Sequence, residues 1–265
     1  NIIQRGGTML KTARSKEFIT KSGREKAYKN LKKHGLDGLI VVGGNGTFTG
    51  ADIFIREFGF PIMGAPGTID NDLYGTDATI GYDTALNTVM EAVDKIRDTA
   101  TSHDRLFFIE VMGRDAGFIA LRAGIAGGAE DILIPETATH IDELIDVLDK
   151  GFRKNKKSSI IIVSEGDDAG GAFEVAAKVK EKYDHYDTRV TVLGHIQRGG
   201  SPTSYDRILA STLGYACVNA LLEGRRGEMA GIINKEIVFT PFEKSIKHNK
   251  DIRHDLLEMA RILAT

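Results

Sequence analysis

Cysteine occurs once in 265 residues, at Cys217. A single thiol excludes an intrachain disulfide and a cysteine-rich zinc site, and the compartment it fits is a reducing cytoplasm. Apolar runs stop well short of the ~20 residues that a membrane-crossing helix needs, and the N-terminus lacks a signal-peptide pattern. Net charge is scarce too: 35 Lys and Arg stand against 37 Asp and Glu, leaving −2. No bulk positive field exists to hold nucleic acid or an anionic bilayer, so neither is expected as a partner. Five prolines are too few for a glycine–proline linker. Glycine is what the chain has in excess, 30 residues, or roughly 11% against an ordinary ~7%. Many fall in pairs between apolar runs: Gly6-Gly7, Gly43-Gly44, Gly127-Gly128, Gly170-Gly171 and Gly199-Gly200. Such pairs suggest backbone brought close to ligands.

Short Val- and Ile-rich runs alternate with segments of helical spacing. Strands are expected at 38–42, 61–65, 105–112, 131–135, 158–164, 189–194 and 231–238. They do not alternate cleanly, as befits strands covered on both faces. Helices are expected over 82–99, where Ala85, Leu86, Val89, Met90, Val93 and Ile96 share a face, over 141–153, and over 206–223 with Gly224 as the stop. Thr139 and Asp142 look like a capping pair for the middle one. The rhythm predicts an α/β fold of two doubly wound subdomains. A boundary is expected near Thr137–Thr139, giving subdomains 1–138 and 139–265. The chain opens on Asn1 with no initiator Met, so it is expected to begin inside a larger protein.

In open α/β sheets ligands bind at the carboxyl ends of the strands, so those ends are where chemistry is sought. The first runs into Gly43-Gly44-Asn45-Gly46-Thr47 and then a helix, a strand–glycine–helix order that aims backbone amides and a helix dipole at phosphate. No Lys follows as in a P-loop, and a plain tight turn is the competing reading. The next ends in Pro66-Gly67-Thr68-Ile69-Asp70-Asn71-Asp72. Two carboxylates beside a hydroxyl suit phosphoryl transfer, one accepting a hydroxyl proton and the other organising a metal ion; Asp and Asn are also common turn formers. A third strand ends in Met112-Gly113-Arg114, where an arginine can grip a phosphate or simply form a surface ion pair. Ser164-Glu165-Gly166 closes another strand, with Glu165 either functional or merely solvated. The last carries Gly194-His195-Ile196-Gln197-Arg198-Gly199-Gly200, and His195, Arg198 and Arg189 could converge on an anion.

Taken in order, GGNGT, PGTIDND, EVMGRDAG, EG and LGHIQRGGSPTSYDRILA resemble the ATP-dependent 6-phosphofructokinases of bacterial type. The resemblance runs from Arg5-Gly6-Gly7-Thr8 nearly to the C-terminus. It implies two α/β subdomains with a ligand cleft between them, a nucleotide-binding 1–138 and a sugar-phosphate-binding 139–265. It implies transfer of the ATP γ-phosphoryl group to the 1-hydroxyl of fructose 6-phosphate, with Mg²⁺, in glycolysis. Asp70 would be the base, flanked by Thr68 and Asp72, and Arg114 would steady the moving phosphoryl group. Met112 and Glu165 would contact the sugar, and His195 and Arg198 its 6-phosphate. Arg105 and Arg189 would reach it from a neighbouring subunit, which implies a homotetramer. Gly43, Gly44, Asn45, Gly46, Thr47 and Arg14 would serve the nucleotide, with Asn45 and Asp72 at the metal. Arg97, Glu130, Lys154 and Lys156 match an effector site for ADP or phosphoenolpyruvate, although basic residues at a helix end also suit its dipole.

Pyrophosphate-using relatives carry a bulky acid after the loop's third residue and a lysine before the Thr of TIDND. Glycine stands at both places here, Gly46 and Gly67, which leaves room for a nucleotide. Two departures stand out. The usual acid of GGDG is Asn45, so weaker Mg-nucleotide binding, or a larger share of the metal carried by Asp70 and Asp72, is expected. The family's opening strand and GGDAPG loop do not precede Asn1, so a gap in the first sheet and an incomplete ATP site are expected. A pyrophosphate-dependent enzyme and a catalytically silent regulatory subunit are the alternatives.

Overall fold

The computed structural model describes residues 2–100, 105–154 and 158–264. In chain order the elements are α1 (Lys16–Ile19), α2 (Lys21–Lys33), β1 (Leu39–Gly43), α3 (Asn45–Phe58), β2 (Ile62–Pro66), α4 (Tyr82–Ala100), β3 (Arg105–Val111), α5 (Phe118–Gly127) and β4 (Asp131–Leu133). There follow α6 (Ile141–Arg153), β5 (Ser158–Ser164), α7 (Ala172–Lys182), β6 (Asp187–Val192), a 3₁₀ turn (Gly194–Arg198), α8 (Ser204–Leu222), β7 (Glu228–Ile233), β8 (Glu236–Pro241), α9 (Phe242–Lys247) and α10 (His254–Ala264).

The chain divides into two compact units, each discontinuous: Asn1–Gly81 with Ser201–Lys250, and Tyr82–Gly200 with Asp251–Thr265. The boundary expected at Thr137–Thr139 therefore lies inside the second unit, between β4 and β5, which are hydrogen-bonded neighbours. A capped helix after a strand marks only the next turn of a βα rhythm. The chain crosses between units at Gly81–Tyr82, Gly200–Ser201 and Lys250–Asp251 instead.

The first unit holds a sheet of order β1-β2-β7-β8, parallel except for the antiparallel β7–β8 pair. The run 231–238, expected as one strand, is a hairpin that turns at Asn234 and Lys235, both at positive φ (51° and 71°). That pair of left-handed residues is what a two-residue hairpin requires. Period-two alternation assigns β2's side chains to opposite faces. Ile62 joins Phe48, Phe54, Phe60, Met229 and Phe242 on one side. Met63 and Ala65 join Leu209, Leu213, Cys217 and Ala230, the layer under α8, on the other. Gly64 leaves space for rings: a Cβ there would fall 2.6 Å from Phe48 Cε1 and 2.7 Å from Phe242 Cε1. Helix α8 packs one face on the sheet and exposes Tyr205, Ile208, Tyr215 and Leu222.

The second unit has an all-parallel sheet, β4-β5-β3-β6. Helices α6 and α7 cover one face through Leu144, Leu148, Val175 and Val179, packed on Leu106, Phe108, Ile161 and Val163. Helices α4 and α5 cover the other face. Strands so enclosed read as continuous apolar runs, which is why they were legible. Thr139 and Asp142 do not cap α6. Its N-cap is His140, without a side-chain bond; Thr139 Oγ1 donates to Asp167 Oδ2 at 2.8 Å, and Asp142 pairs with Lys182 at 2.7 Å. A buried carboxylate at Asp167 claims the hydroxyl because ionised oxygens out of water need donors.

Candidate active site

In the first unit β1 and β2 run in register to their carboxyl ends, Gly43 beside Pro66, and Gly67 N donates onward to Gly43 O at 3.0 Å. The two loops that follow are thereby placed side by side. Gly43 is demanded by close approach, since a Cβ there would lie 2.2 Å from Thr47 Oγ1. Gly44 is the N-cap of α3 and brings no side chain to it. The positive end of a 14-residue helix is thus left for an approaching anion. Asn45, expected in the loop, is the first residue of α3, and its Oδ1 is buried without a hydrogen-bond partner. Around Gly46 a Cβ would meet nothing within 4 Å, whereas at Gly67 it would lie 2.7 Å from Val42 Cγ1. Arg14 sits in the exposed, irregular segment just before Ser15, the N-cap of α1.

Asp70 and Asn71 are buried, 6% and 4% exposed, on the loop after β2. Asp70 N donates to Thr68 Oγ1 at 3.2 Å, a local turn that keeps the hydroxyl beside the carboxylate's backbone. Asn71 has φ +55°. Its Oδ1 accepts from Thr79 N at 3.0 Å, and Thr79 Oγ1 donates to Thr68 O at 2.6 Å. Asp72 is half-buried, and its carbonyl accepts from Lys250 N.

In the second unit β5, β3 and β6 are adjacent, so their carboxyl ends bring together Glu165, the Met112–Arg114 loop, and the turn bearing His195 and Arg198. Glu165 N donates to Val111 O at 2.9 Å, while Glu165 Oε1 accepts from Arg114 N at 2.9 Å and Gly113 N at 3.3 Å. Arg114 adopts φ +53°, and Gly166 approaches its carbonyl so closely that a Cβ would lie 1.9 Å from Arg114 O. A non-glycine residue in that region is costly and is held by its surroundings. Met112 N donates to Gln197 Oε1 at 3.2 Å, and Gln197 Nε2 donates to Gly194 O at 3.0 Å. His195 and Arg198 are solvent-exposed on that same turn.

Convergence of Arg189 with His195 and Arg198 within one chain does not occur. Arg105 opens β3 and Arg189 lies near the start of β6, at the amino end of the sheet, where both approach Asp187 Oδ2 (3.7 and 2.7 Å). The seven residues of β3 separate that end from the Met112 end by about 20 Å, at ~3.3 Å per residue. Near the amino end Glu130 Oε2 accepts from Ile160 N at 2.6 Å. Arg97 donates to the carbonyls of Gly127 and Gly128 at the C-terminus of α5, a favourable place for a cation. Lys154 is the C-cap residue of α6, and Lys156 lies outside the described residues.

Sequence reasoning missed the groups that hold these loops: Asn71 and Thr79, Gln197, and Glu136, whose carboxylate accepts from Gly117 N at 2.9 and 3.1 Å before α5. Asn71 and Gln197 stood inside quoted motifs, so the motif itself was the available signal. Nothing in the spacing marked Thr79 or Glu136.

Comparison with known proteins places these loops in context. A family profile described as Phosphofructokinase matches residues 1–221. Over 264 residues the chain is 59% identical to the ATP-dependent 6-phosphofructokinase 2 of Bacteroides thetaiotaomicron, covering 100% of this chain and 81% of that one. It is 56% identical to the ATP-dependent 6-phosphofructokinase 1 of Thermus thermophilus, covering 100% of this chain and 82% of that one. The solved phosphofructokinase of Saccharomyces cerevisiae matches with a TM-score of 0.87 at 38% identity, over 92% of this chain and 36% of the yeast chain. A pyrophosphate-dependent phosphofructokinase from Marinobacter aquaeolei matches with a TM-score of 0.79 at 23% identity, over 96% of this chain and 74% of that one, a likeness of fold alone.

Proposed function

This chain belongs to the phosphofructokinase family, and on that premise we propose how its residues transfer the terminal phosphoryl group of ATP to the 1-hydroxyl of fructose 6-phosphate. The observation that carries the reading is the loop after β2, which sets a buried carboxylate, Asp70, beside the glycine loop that opens α3. Asp70 takes the hydroxyl proton as the sugar oxygen bonds to the γ-phosphorus and the bond from that phosphorus to ADP breaks. Thr68 Oγ1 accepts from Asp70 N, which leaves its own proton to donate toward the charge that develops. The amides at the start of α3, with Gly43, Gly44, Gly46, Thr47 and Arg14, hold the nucleotide's phosphates. The open space around Gly46 supports ATP over pyrophosphate as donor, and so do the names of the two bacterial relatives above.

Residues for Mg²⁺ fit the chemistry. Asn45 Oδ1 is a buried oxygen with no partner, suited to a cation or its water, and Asp72 adds a carboxylate. No cluster of three or more His, Cys, Asp or Glu poised for a metal occurs among the described residues, as suits a cation bound largely through substrate phosphates. When bound, Mg²⁺ would offset phosphate charge; Asn45 contributes no negative charge of its own.

In the second unit Arg114 steadies the transferring group, Met112 and Glu165 contact the sugar, and His195 and Arg198 bind the 6-phosphate. Arg105 and Arg189, at the far end of the sheet from these groups, serve a neighbouring subunit's 6-phosphate, which favours a homotetramer. The first unit is accordingly the nucleotide-binding part and the second the sugar-phosphate part. Arg97, Glu130 and Lys154 form the effector region, for ADP or phosphoenolpyruvate. No described helix is long and apolar enough to cross a membrane, and the cytoplasm is the proposed location.

The test is Asp70→Ser. Turnover should collapse while fructose 6-phosphate binding, followed by calorimetry, survives. If wild type and variant both bind but neither turns over, the chain is a binding subunit instead.

A further inference from the structure

We propose that Thr79, together with Asn71, is a positioning residue for the Asp70 carboxylate; the proposal rests on the reading of Asp70 as the base. Residues 67–81 form a loop closed on itself. Ile80 N donates to Pro66 O at 2.8 Å, which shuts its base, and the Thr79 side chain reaches back across it. A threonine hydroxyl has one proton. It goes to Thr68 O at 2.6 Å rather than to Asn71 Oδ1 at 3.3 Å. Thr79 N serves Asn71 Oδ1 instead, at 3.0 Å, and Asn71 Nδ2 reaches Asp77 O at 3.4 Å.

The residues on both sides of Asp70 in this turn are therefore pinned. Thr68 is held through its carbonyl and in turn accepts from Asp70 N. Asn71 is held through its amide, in a left-handed conformation that asparagine tolerates better than most residues. Thr79 is fully buried and Asn71 is 4% exposed, so water does not compete for these bonds. The carboxylate's place then depends on a side chain that touches no substrate. Small displacements of a reacting group lower turnover without weakening ground-state binding.

The decisive variant is Thr79→Val, which keeps the shape and the backbone bond to Asn71 but removes the hydroxyl. It should lower kcat by about 10²-fold, with KM for ATP and for fructose 6-phosphate changed less than about twofold. Thr79→Ser, which restores the hydroxyl, should recover most of the loss. Should Thr79→Val fail to fold, Asn71→Gly carries the test: it keeps the left-handed backbone, loses the amide, and should show the same fall in kcat at constant KM. Wild-type kcat in the folded variant overturns the proposal, as does an equal loss in Thr79→Ser or a KM that rises in step. Asp70→Asn separates the two layers. Its collapse beside an unaffected Thr79→Val overturns the positioning role alone, whereas wild-type turnover in Asp70→Asn removes the base and the proposal with it.

Discussion

Gln197→Met tests whether the loops proposed to bind the sugar phosphate are fastened as described. Gln197 is 1% exposed and bridges Met112 N and Gly194 O, two points 82 residues apart in the chain. Methionine matches its length and removes both bonds. Met112 is 5% exposed, so its amide would be left buried and unpaired, at about 1–3 kcal/mol. Gly194 is only half-buried; water can replace the lost donor there, at about 1 kcal/mol or less. Better burial of a thioether returns a fraction of this, and the sum is a loss of about 1–3 kcal/mol, large against a total of ~5–15. Urea unfolding followed by far-UV circular dichroism reads it directly. The same variant should raise KM for fructose 6-phosphate and leave KM for ATP near the wild-type value, because the turn carries His195 and Arg198. A stability change under about 0.5 kcal/mol, with both KM values intact, would refute the reasoning.

Three further outcomes are expected. Gly64→Ala puts a methyl group 2.6 Å from Phe48 and 2.7 Å from Phe242, whose rings stack at 5.1 Å; overpacking should cost about 1–3 kcal/mol in thermal unfolding. Tyr183→Phe should leave stability unchanged or raise it slightly in the same assay, because Tyr183 Oη is buried with no hydrogen-bond partner. Burial pushes the Asp131 carboxyl above the ordinary range, opposed more weakly by its bond from Ile132 N and by Arg261. A raised carboxyl binds its proton more tightly folded than unfolded, so its contribution is greatest below the unfolded value, ~4, and is lost as pH rises through the folded one. Asp131→Asn should therefore gain melting temperature relative to wild type as pH rises from 4 to 7. A constant difference across that range would exclude the effect.

What was legible in the sequence follows from burial. Strands enclosed on both faces, such as β2, β3 and β5, announce themselves as unbroken apolar runs, and their carboxyl ends pointed to the loops of Asp70, Arg114 and Glu165, while His195 follows the half-exposed edge strand β6. Amphipathic α4 and α6 were equally plain. The hairpin of β7 and β8 was hidden because Asn234-Lys235 carries no glycine, although both residues take the left-handed region. Unit boundaries were hidden because the chain crosses three times without a change of composition; two crossings follow Gly81 and Gly200, both at positive φ (99° and 90°). The capping pair failed for a reason that no local pattern contains: Thr139 answers a carboxylate 28 residues away. The same holds for Thr79 and Gln197. Side-chain hydrogen bonds that fasten a loop from 8, 11 or 85 residues away leave no periodicity behind.

The most direct test of the central claim is the pH dependence of turnover in Asp70→Asn. With Asp70 as proton acceptor, wild-type kcat should change little with pH through neutrality. The amide cannot accept a proton, so the variant's residual rate should climb about tenfold per pH unit through neutrality, as ionisation of the sugar hydroxyl takes over. A variant whose kcat stays level with pH, at a rate near wild type, would show that the proton goes elsewhere.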